Sequence, residues 1–177
     1  TYIFLSFFLL LFFLIASVSG FAAEESFVTC FSSTEINYNP LHSFTATEAQ
    51  VYTALYEGLV TYHPYTMNPI PAVARDWEVS DDQKTYEFHL REDARYWNGE
   101  KVTADHFRDA WFKLIDPDEH AEYSFLFDIV KGVESYRKGE TDDPETVGIK
   151  VLSSETLEVE LEHPAAHFLK ILCHHSF

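Results

Sequence analysis

The residues best placed for chemistry form a polar loop near the start of the chain, from Ser33 to Asn39. A short β-branched and aromatic run, Ser26 to Ser32, precedes this loop and predicts a buried strand. Loops held at the end of a rigid strand commonly meet ligands, so a carboxylate there could pair with a ligand ammonium group. Glu35 is that carboxylate. A solvated loop acid is the alternative, and composition alone favours it.

The C-terminal end is rich in histidine and contains a cysteine, which raises the question of a metal centre. The residues concerned are His163, His167, Cys173, His174 and His175. Pro164 is expected to place His163 before the final helix and not on its face. Three adjacent side chains in regular structure cannot converge on one ion. We therefore expect surface or packing histidines, no bound metal and no cofactor, with a secreted metal-dependent hydrolase as the alternative.

Other candidates for catalysis or stacking have simpler interpretations. The sequence contains no H-E-x-x-H helix, paired C-x-x-C, phosphate-binding loop or G-x-S-x-G. Asp81-Asp82 and Asp142-Asp143 lie beside typical turn residues, which favours turns over an acid–base pair. Three tryptophans could stack on a ligand, but their alternating and helical positions predict core packing: Trp77, Trp97 and Trp111. The residues alone predict a binding domain and no enzyme.

The elements that must position these residues follow from capping signals and hydrophobic periods. Thr45 and Glu48 form a capping box that opens a helix with an apolar stripe, and Gly58 should end it. The stripe consists of Val51, Ala54 and Leu55. A short strand from Leu59 to Tyr62 should then lead into a proline-rich turn at Pro64, Pro69 and Pro71.

The remainder of the sequence predicts a mixed α/β fold. Tyr86, Phe88 and Leu90 alternate with polar residues after the 80–83 turn, as in a hairpin with one dry face. Asn98-Gly99 is a tight-turn signal. Further elements are a helix capped by Thr103 with Phe107, Ala110, Trp111, Leu114 and Ile115 on one face, a helix over Ala121–Arg137, strands at Ile149–Leu152 and Leu157–Leu161, and a helix over Ala165–Leu172.

Charge and the N-terminal run restrict the partners and the compartment. The chain has 12 Lys+Arg against 29 Asp+Glu, a formal charge of −17, which excludes nucleic-acid binding through phosphate neutralisation. Residues 2–16 are an apolar run followed by small residues, as in a secretory signal, and cleavage after Ala22 is expected. The mature chain would then begin at Ala23 in the periplasm. A membrane anchor is the alternative, since the run is near the lower limit for spanning.

The two cysteines, Cys30 and Cys173, are too few for a disulfide scaffold. Cys30 lies among apolar residues and is expected to be an ordinary buried thiol. Export would permit a bridge between the two, but the sequence supplies no geometry for it.

Several ordered blocks resemble one family closely. They include Leu55-Tyr56-Glu57-Gly58-Leu59-Val60, Trp77-Glu78-Val79-Ser80, Thr85 to Arg91, Trp97-Asn98-Gly99-Glu100, Val102-Thr103-Ala104-Asp105 and Thr156 to Leu161. This series resembles the N-terminal part of the extracytoplasmic solute-binding proteins of peptide-type ABC importers, the oligopeptide- and dipeptide-binding group. The resemblance covers about residues 30–177.

The resemblance implies a type II periplasmic-binding-protein fold with two lobes and an extra domain. Residues 23–50 would begin lobe I, residues 51–164 would form the inserted domain, and residues 165–177 would return to lobe I. Family members are far longer, so the sequence is expected to be truncated at both ends, without the second lobe. In this family the ligand is enclosed between the lobes.

The resemblance also implies a ligand and a partner. The loop after the first strand touches the main chain of the peptide, and here the matching residues are Thr34, Glu35, Ile36 and Asn37. Glu35 would pair with the amino terminus of the peptide. The protein would act as a monomer that captures peptides and delivers them to a membrane permease, with no nucleic-acid partner. A non-functional truncated remnant is a further alternative.

Overall fold

The computed structural model describes Val28, Cys30 and residues 35–177. The chain divides into two units, residues 1–31 and residues 32–177, and the helices and strands described below belong to the second. The predicted leader, its cleavage site and almost all of the predicted strand Ser26–Ser32 lie outside the described residues. No helix in the described part combines the length and apolar character needed to cross a bilayer.

Helices and strands alternate irregularly, as the sequence predicted. The α-helices are α1 (Ala46–Leu55), α2 (Ala104–Leu114), α3 (Val133–Arg137) and α4 (Phe168–Leu172). The strands are β1 (Val60–Tyr62), β2 (Pro69–Pro71), β3 (Ala74–Val79), β4 (Thr85–Leu90), β5 (Ile149–Ser153) and β6 (Thr156–Glu160). Short 3-10 helices lie at Pro40–His42, Ser124–Ile129 and Pro144–Thr146.

The core lies on one face of an antiparallel sheet with strand order β3-β4-β6-β5. The predicted alternation in β4 is confirmed, because Phe88 and Leu90 are fully buried while Glu87 and His89, which alternate with them, are partly exposed. Leu157 and Val159 of β6 extend the same dry face, and α2 packs on β5 and β6. Trp111 of α2 meets Phe127 with ring centroids 5.0 Å apart. Leu114 and Ile115 of the predicted stripe are also buried, but Ala110 is exposed and not part of the core.

The opposite face of the sheet is acidic. Glu78 lies opposite Glu87 on the neighbouring strand, and Glu87 lies opposite Glu158 on the next. Lys150 ends this row and contacts Glu158 at 3.4 Å. Like charges directly opposite one another repel, so the stability of the sheet must come from the apolar face.

The prediction of one continuous helix over Ala121–Arg137 is wrong. The segment forms a 3-10 helix and then α3, separated at Val130 and Lys131. The Lys131 N–H donates to Glu160 O at 2.9 Å and its carbonyl accepts from Gly148 N at 2.8 Å. These bonds extend the sheet beyond β6, and Gly132, with a φ of 73°, then restarts the helix. Sheet pairing therefore outweighs helix propensity here.

Three shorter predictions also need correction. Pro69–Pro71 is not a turn but a strand that pairs with β1 in a separate two-stranded sheet, where missing N–H groups are tolerated. The stripe predicted for α1 is wrong because the helix buries Glu48 and Tyr52 and leaves Leu55 60% exposed. The final helix begins at Phe168 and not at Ala165.

Two predictions about single side chains are also wrong. Trp97 does not lie in the core but is 98% exposed beside the Asn98-Gly99 turn, which forms as predicted with a Gly99 φ of 86°. Trp111 is buried and Trp77 is partly buried, as expected. Cys30 is exposed and not buried as predicted, and both cysteines are free thiols.

Candidate ligand-binding site

The described part of the predicted ligand loop is held in place by the carboxylate of Glu48. Glu48 Oε1 accepts the main-chain N–H of Asn37 at 3.0 Å, and Oε2 accepts those of Phe44 and Thr45 at 3.1 and 3.0 Å. The Thr45 hydroxyl donates to Oε2 at 2.8 Å. Glu48 is only 6% exposed. These donors, the Asn37 N–H first among them, lower the pKa of Glu48 to about 2.

Asn37 is the residue at which the loop is most tightly tied. Its side-chain amide donates to the carbonyl of His42 at 3.1 Å, and its Oδ1 accepts from the N–H of Asn39 at 2.9 Å. Its carbonyl accepts the Tyr52 hydroxyl. The loop from residue 35 to Thr45 is thus shaped by its own polar groups and by α1, which gives any ligand contact there a fixed geometry.

The C-terminal histidines pack against this loop. His175 Nε2 is hydrogen-bonded to Oγ of the fully buried Ser43 at 2.9 Å. The His175 ring is parallel to Tyr52 within 7°, with centroids 5.8 Å apart. His174 contacts Tyr123 with centroids 4.5 Å apart. The prediction of packing histidines is therefore confirmed for His174 and His175.

Burial controls the charge of this histidine pair. Loss of solvent lowers the pKa of His174 to about 4, and the neighbouring His175 contributes to this lowering. The His175 pKa is also lowered by burial, opposed by the charge of Glu48. Both imidazoles are consequently neutral at pH 7.

A third contact, His42 Nε2 to Glu119 Oε1 at 3.0 Å, joins the loop to the segment before the Ser124–Ile129 3-10 helix.

A small cavity adjoins the histidines. Its volume is about 390 Å³, and its lining includes Thr53, Tyr62, Lys170, Cys173 and His174. The Cys173 thiol donates to Leu169 O at 3.2 Å, and burial raises its pKa to about 11. Such a thiol is protonated at pH 7 and a poor nucleophile.

The histidines do not converge in a way that suits a metal ion. His163 lies outside α4, as predicted from Pro164, and His167 is the N-cap of that helix. Within the described part of the chain, no group of three or more His, Cys, Asp or Glu side chains could hold a metal ion.

The residues predicted to contact the ligand differ in how exposed they are. Glu35 is exposed, Ile36 is partly buried, and Asn37 is exposed while engaged in the bonds above. Thr34 lies outside the described residues. Contact of these residues with a ligand stays a prediction.

Sequence reasoning missed the residues that shape this site. The capping box identified Glu48 as the partner of Thr45, and that reciprocal pair is present. No pattern in the sequence indicated that Glu48 also accepts hydrogen bonds from the main-chain N–H groups of Asn37 and Phe44. Tyr52 follows Glu48 by one helical turn, and this spacing could have indicated that both residues face the loop.

Residues 68–177, which contain the four-stranded sheet, match the family model described as "Bacterial extracellular solute-binding proteins, family 5 Middle". The chain belongs to the family 5 bacterial extracellular solute-binding proteins. The match also spans α2, α3 and α4, so the observed α/β fold is that of a type II periplasmic binding protein.

Several relatives of this family 5 chain have names that state what they bind. The dipeptide-binding protein DppE of Bacillus subtilis is 38% identical over 138 residues, which cover 77% of this chain and 25% of DppE. The periplasmic oligopeptide-binding protein OppA of Escherichia coli is 34% identical over 131 residues, 73% of this chain and 24% of OppA. The chain thus spans about a quarter of the length of these relatives.

Solved family 5 structures have the same fold. OppA of Listeria monocytogenes bound to peptide superposes with a TM-score of 0.74 at 32% identity, covering 78% of this chain and 27% of that one. Haemophilus influenzae OppA in complex with the peptide RPPGFSPFR gives a TM-score of 0.73 at 31% identity, covering 80% and 29%. Both relatives were solved with a peptide.

Proposed function

We propose that this chain belongs to the substrate-binding component of an ABC importer, which captures peptides outside the cytoplasmic membrane and passes them to a permease. The observation that carries the proposal is the family 5 match together with relatives that bind dipeptides and oligopeptides. The role is binding without catalysis. The secreted metal-dependent hydrolase has no support among these relatives, which are named for peptide binding.

In this proposal the loop around Glu35 contacts the peptide main chain. Glu35 pairs with the free amino terminus, and Thr34, Ile36 and Asn37 provide neighbouring contacts. The Glu48 bonds support this role because they fix the loop before a ligand arrives, which lowers the ordering cost of binding. An ion pair between Glu35 and an ammonium group would need further hydrogen bonds to offset desolvation.

The proposal extends to the arrangement of the protein. Residues 23–50 begin the first lobe, residues 51–164 form an inserted domain, and residues 165–177 return to the first lobe. The contact of Ser43 with His175 supports the last point because it joins the first and last of these ranges. The leader is removed after Ala22, and the protein acts as a periplasmic monomer.

The test is calorimetry with trialanine and N-acetyl-trialanine. Residues of this chain replace the matched quarter of Bacillus subtilis DppE, and the chimera is compared with its Glu35→Gln variant. We expect Glu35→Gln to weaken trialanine about tenfold or more and to leave the acetylated peptide nearly unchanged, because only trialanine presents an ammonium group.

Glu145→Gln is the matched control, since Glu145 is exposed in the Pro144–Thr146 turn, away from the loop. It should bind both peptides like the parent chimera. Equal loss of both peptides in Glu35→Gln would remove Glu35 from the site, and a folded chimera that binds no peptide would contradict the proposed function.

A further inference from the structure

His89 contacts a carboxylate with each of its two ring nitrogens. Nδ1 lies 2.5 Å from Asp76 Oδ1 on β3, and Nε2 lies 3.1 Å from Glu87 Oε1 on β4, the strand of His89 itself. We call these three residues the His89 cluster. A carboxylate ion only accepts hydrogen bonds, and a neutral imidazole has a single N–H donor, so both contacts are hydrogen bonds only when the ring carries two protons. The arrangement therefore favours the positively charged imidazolium.

The His89 cluster lies at an irregular point of the sheet edge. β3 is the outer strand of the order β3-β4-β6-β5, and Asp76 is directly opposite His89. The register shifts between Ala74 and Asp76, which leaves Arg75 as the extra residue of a β-bulge. Arg75 Nε contacts Asp76 Oδ2 at 3.1 Å, so the Asp76 carboxylate has a cationic partner at each oxygen. The cluster thus joins the edge strand to its neighbour where the main-chain pairing is disturbed.

The neighbours of the cluster across the sheet are acidic or uncharged. On β3, Glu78 is directly opposite Glu87. On β6, Glu158 is opposite Glu87 from the other side, and the uncharged Thr156 is opposite His89. Like charges opposite one another on paired strands are destabilising. The imidazolium of His89 therefore supplies a positive charge at the middle residue of a row of three glutamates.

The other cations near this row are engaged with acids at its ends. Lys150 on β5 contacts Glu158 at 3.4 Å. Lys101 contacts Glu155 in the turn before β6, and this bond, with a smaller contribution from Arg75, lowers the pKa of Glu155. Neither lysine forms an ion pair with the middle glutamate of the row in the described part of the chain.

The surroundings of His89 act on its proton as the geometry predicts. Hydrogen bonding to Asp76 raises the pKa of His89 above its ordinary value of 6.5, and Glu87 adds to the rise while burial opposes it. The bond to His89 is also the main reason why the pKa of Asp76 is lowered. The His89 side chain is 20% exposed, against 57% for Asp76 and 40% for Glu87. The cation is thus the most enclosed member of the cluster, although water still reaches it.

We propose that the His89 cluster is a pH-sensitive switch: the imidazolium holds the edge strand β3 to β4 beside the bulge, and loss of its proton as the pH rises loosens that strand. A neutral ring keeps one N–H and faces the other carboxylate with a lone pair. It also leaves the three glutamates of the row without a cation at their middle. β3 responds before β6 because β6 is paired on both sides. This inference does not depend on the proposed function, since no residue of the Glu35 loop takes part.

The direction of the pH effect follows from the raised pKa of His89. The folded state binds this proton more tightly than the unfolded state, so the stabilising contribution is complete below pH 6.5 and is lost as the pH rises through the folded-state pKa. The contributions of Glu48 and His174 are lost as the pH falls, because their pKa values are lowered. The effect of His89 therefore occurs in a different pH range from theirs.

The experiment combines two measurements on the whole chain. Nitrogen–proton NMR of the histidine rings should show both His89 nitrogens protonated below pH 6.5 and a titration midpoint above that value. Hydrogen exchange, corrected for the intrinsic effect of pH, then reports the protection of the β3 amides. We expect this protection to fall about two- to fivefold as His89 loses its proton, the size typical of surface ion pairs, while protection in β5 and β6 is nearly unchanged.

Substitutions separate the charge of the ring from its presence. His89→Gln is neutral at every pH and should show the reduced β3 protection throughout, without the fall. His89→Lys keeps a positive charge over this range and should keep β3 protected. Glu87→Gln retains the imidazole but removes one of its two carboxylates, so the titration midpoint of His89 should drop. His163→Gln is the matched control, because His163 is exposed and lies outside the sheet, and it should behave like the parent.

Three results would overturn the proposal. The first is a His89 titration midpoint at or below 6.5, and the second is β3 protection that does not change while His89 titrates. The third is equal loosening of β3 at every pH in His89→Gln and His89→Lys, because the shape of the ring and not its charge would then hold the strand.

Discussion

The buried carboxylate of Glu48 accepts the main-chain N–H of Asn37 at 3.0 Å, across eleven residues of sequence. The same carboxylate caps α1 through Thr45. One side chain thus fixes both the start of a helix and the loop that precedes it. The position of the proposed ligand loop is therefore a property of α1.

Replacement of Glu48 by Gln should loosen this loop. The amide keeps one acceptor oxygen but turns an NH₂ group towards main-chain donors, which leaves them unsatisfied. We expect hydrogen exchange at the Asn37 and Phe44 amides to become at least about tenfold faster while exchange in β4 and β6 is nearly unchanged. Glu145→Gln should change neither, and unaltered exchange at Asn37 in Glu48→Gln would contradict this account.

Glu48 also makes stability depend on acid. Its pKa is about 2 in the folded chain against an ordinary value of 4.5, so the folded state binds fewer protons in this range. Its contribution is complete above pH 4.5 and is lost as the pH falls from 4.5 through 2. The unfolding free energies of the parent and of Glu48→Gln, measured by denaturant titration, should therefore converge as the pH falls over this window. A constant difference between them would show that the charge is not responsible.

The His174 ring should give a second acid dependence at higher pH. Its pKa is lowered from 6.5 to about 4, chiefly by burial, so its stabilising effect is complete above pH 6.5 and is lost as the pH falls through 4. Unfolding should then take up a proton at His174 near pH 5, in addition to the uptake at His175, and His174→Phe should remove the part that belongs to His174. His163→Phe, at an exposed position, is the control and should retain it.

Two glycines in the left-handed backbone region allow the cost of backbone strain to be distinguished from the cost of a steric collision. Gly139 has a φ of 71° and open space where a Cβ would lie, so Gly139→Ala should cost about 1 kcal/mol of unfolding free energy. At Gly132, with a φ of 73°, an added methyl group would collide with the carbonyl of Thr146. Gly132→Ala should cost at least about 2 kcal/mol more. Equal losses in urea unfolding would disprove the collision.

The centre of the sheet should be the most sensitive core position. Phe88 is fully buried and contacts the aromatic rings of Trp77 and Tyr86. Phe88→Ala should lower the unfolding free energy by about 3–5 kcal/mol. Val79→Ala on the neighbouring strand should lower it by less than about 1 kcal/mol, because Val79 is 42% exposed. Similar losses would mean that the dry face is packed less closely than its burial indicates.

Local patterns predicted the elements whose residues interact with near neighbours in sequence. The alternation from Tyr86 to Leu90 gave β4, and the Thr103 stripe gave α2, because each pattern reports one buried face. The break at Lys131 could not be predicted in this way, since it depends on bonds to Glu160 and Gly148 in other parts of the chain.

For the proposed ligand loop, too, the sequence predicted the local features and not the contacts between distant residues. A polar loop before α1 and its capping box followed from residue types, whereas the bond from Ser43 to His175 joins residues from opposite ends of the described chain. For Trp97 the prediction of core packing is wrong, because the residue lies at the surface beside the Asn98-Gly99 turn. Its exposure follows from its place at the rim of a groove, which a linear pattern does not describe.

The strand order β3-β4-β6-β5 has a consequence for how the chain is made. β4 pairs with β3 as soon as residues 74–90 are synthesised, but its other neighbour, β6, follows only at residues 156–160. Throughout the intervening synthesis, the hydrogen-bonding groups of β4 on that side remain open. Until β6 has emerged from the ribosome, this edge of β4 is therefore open to pairing with a strand of another chain.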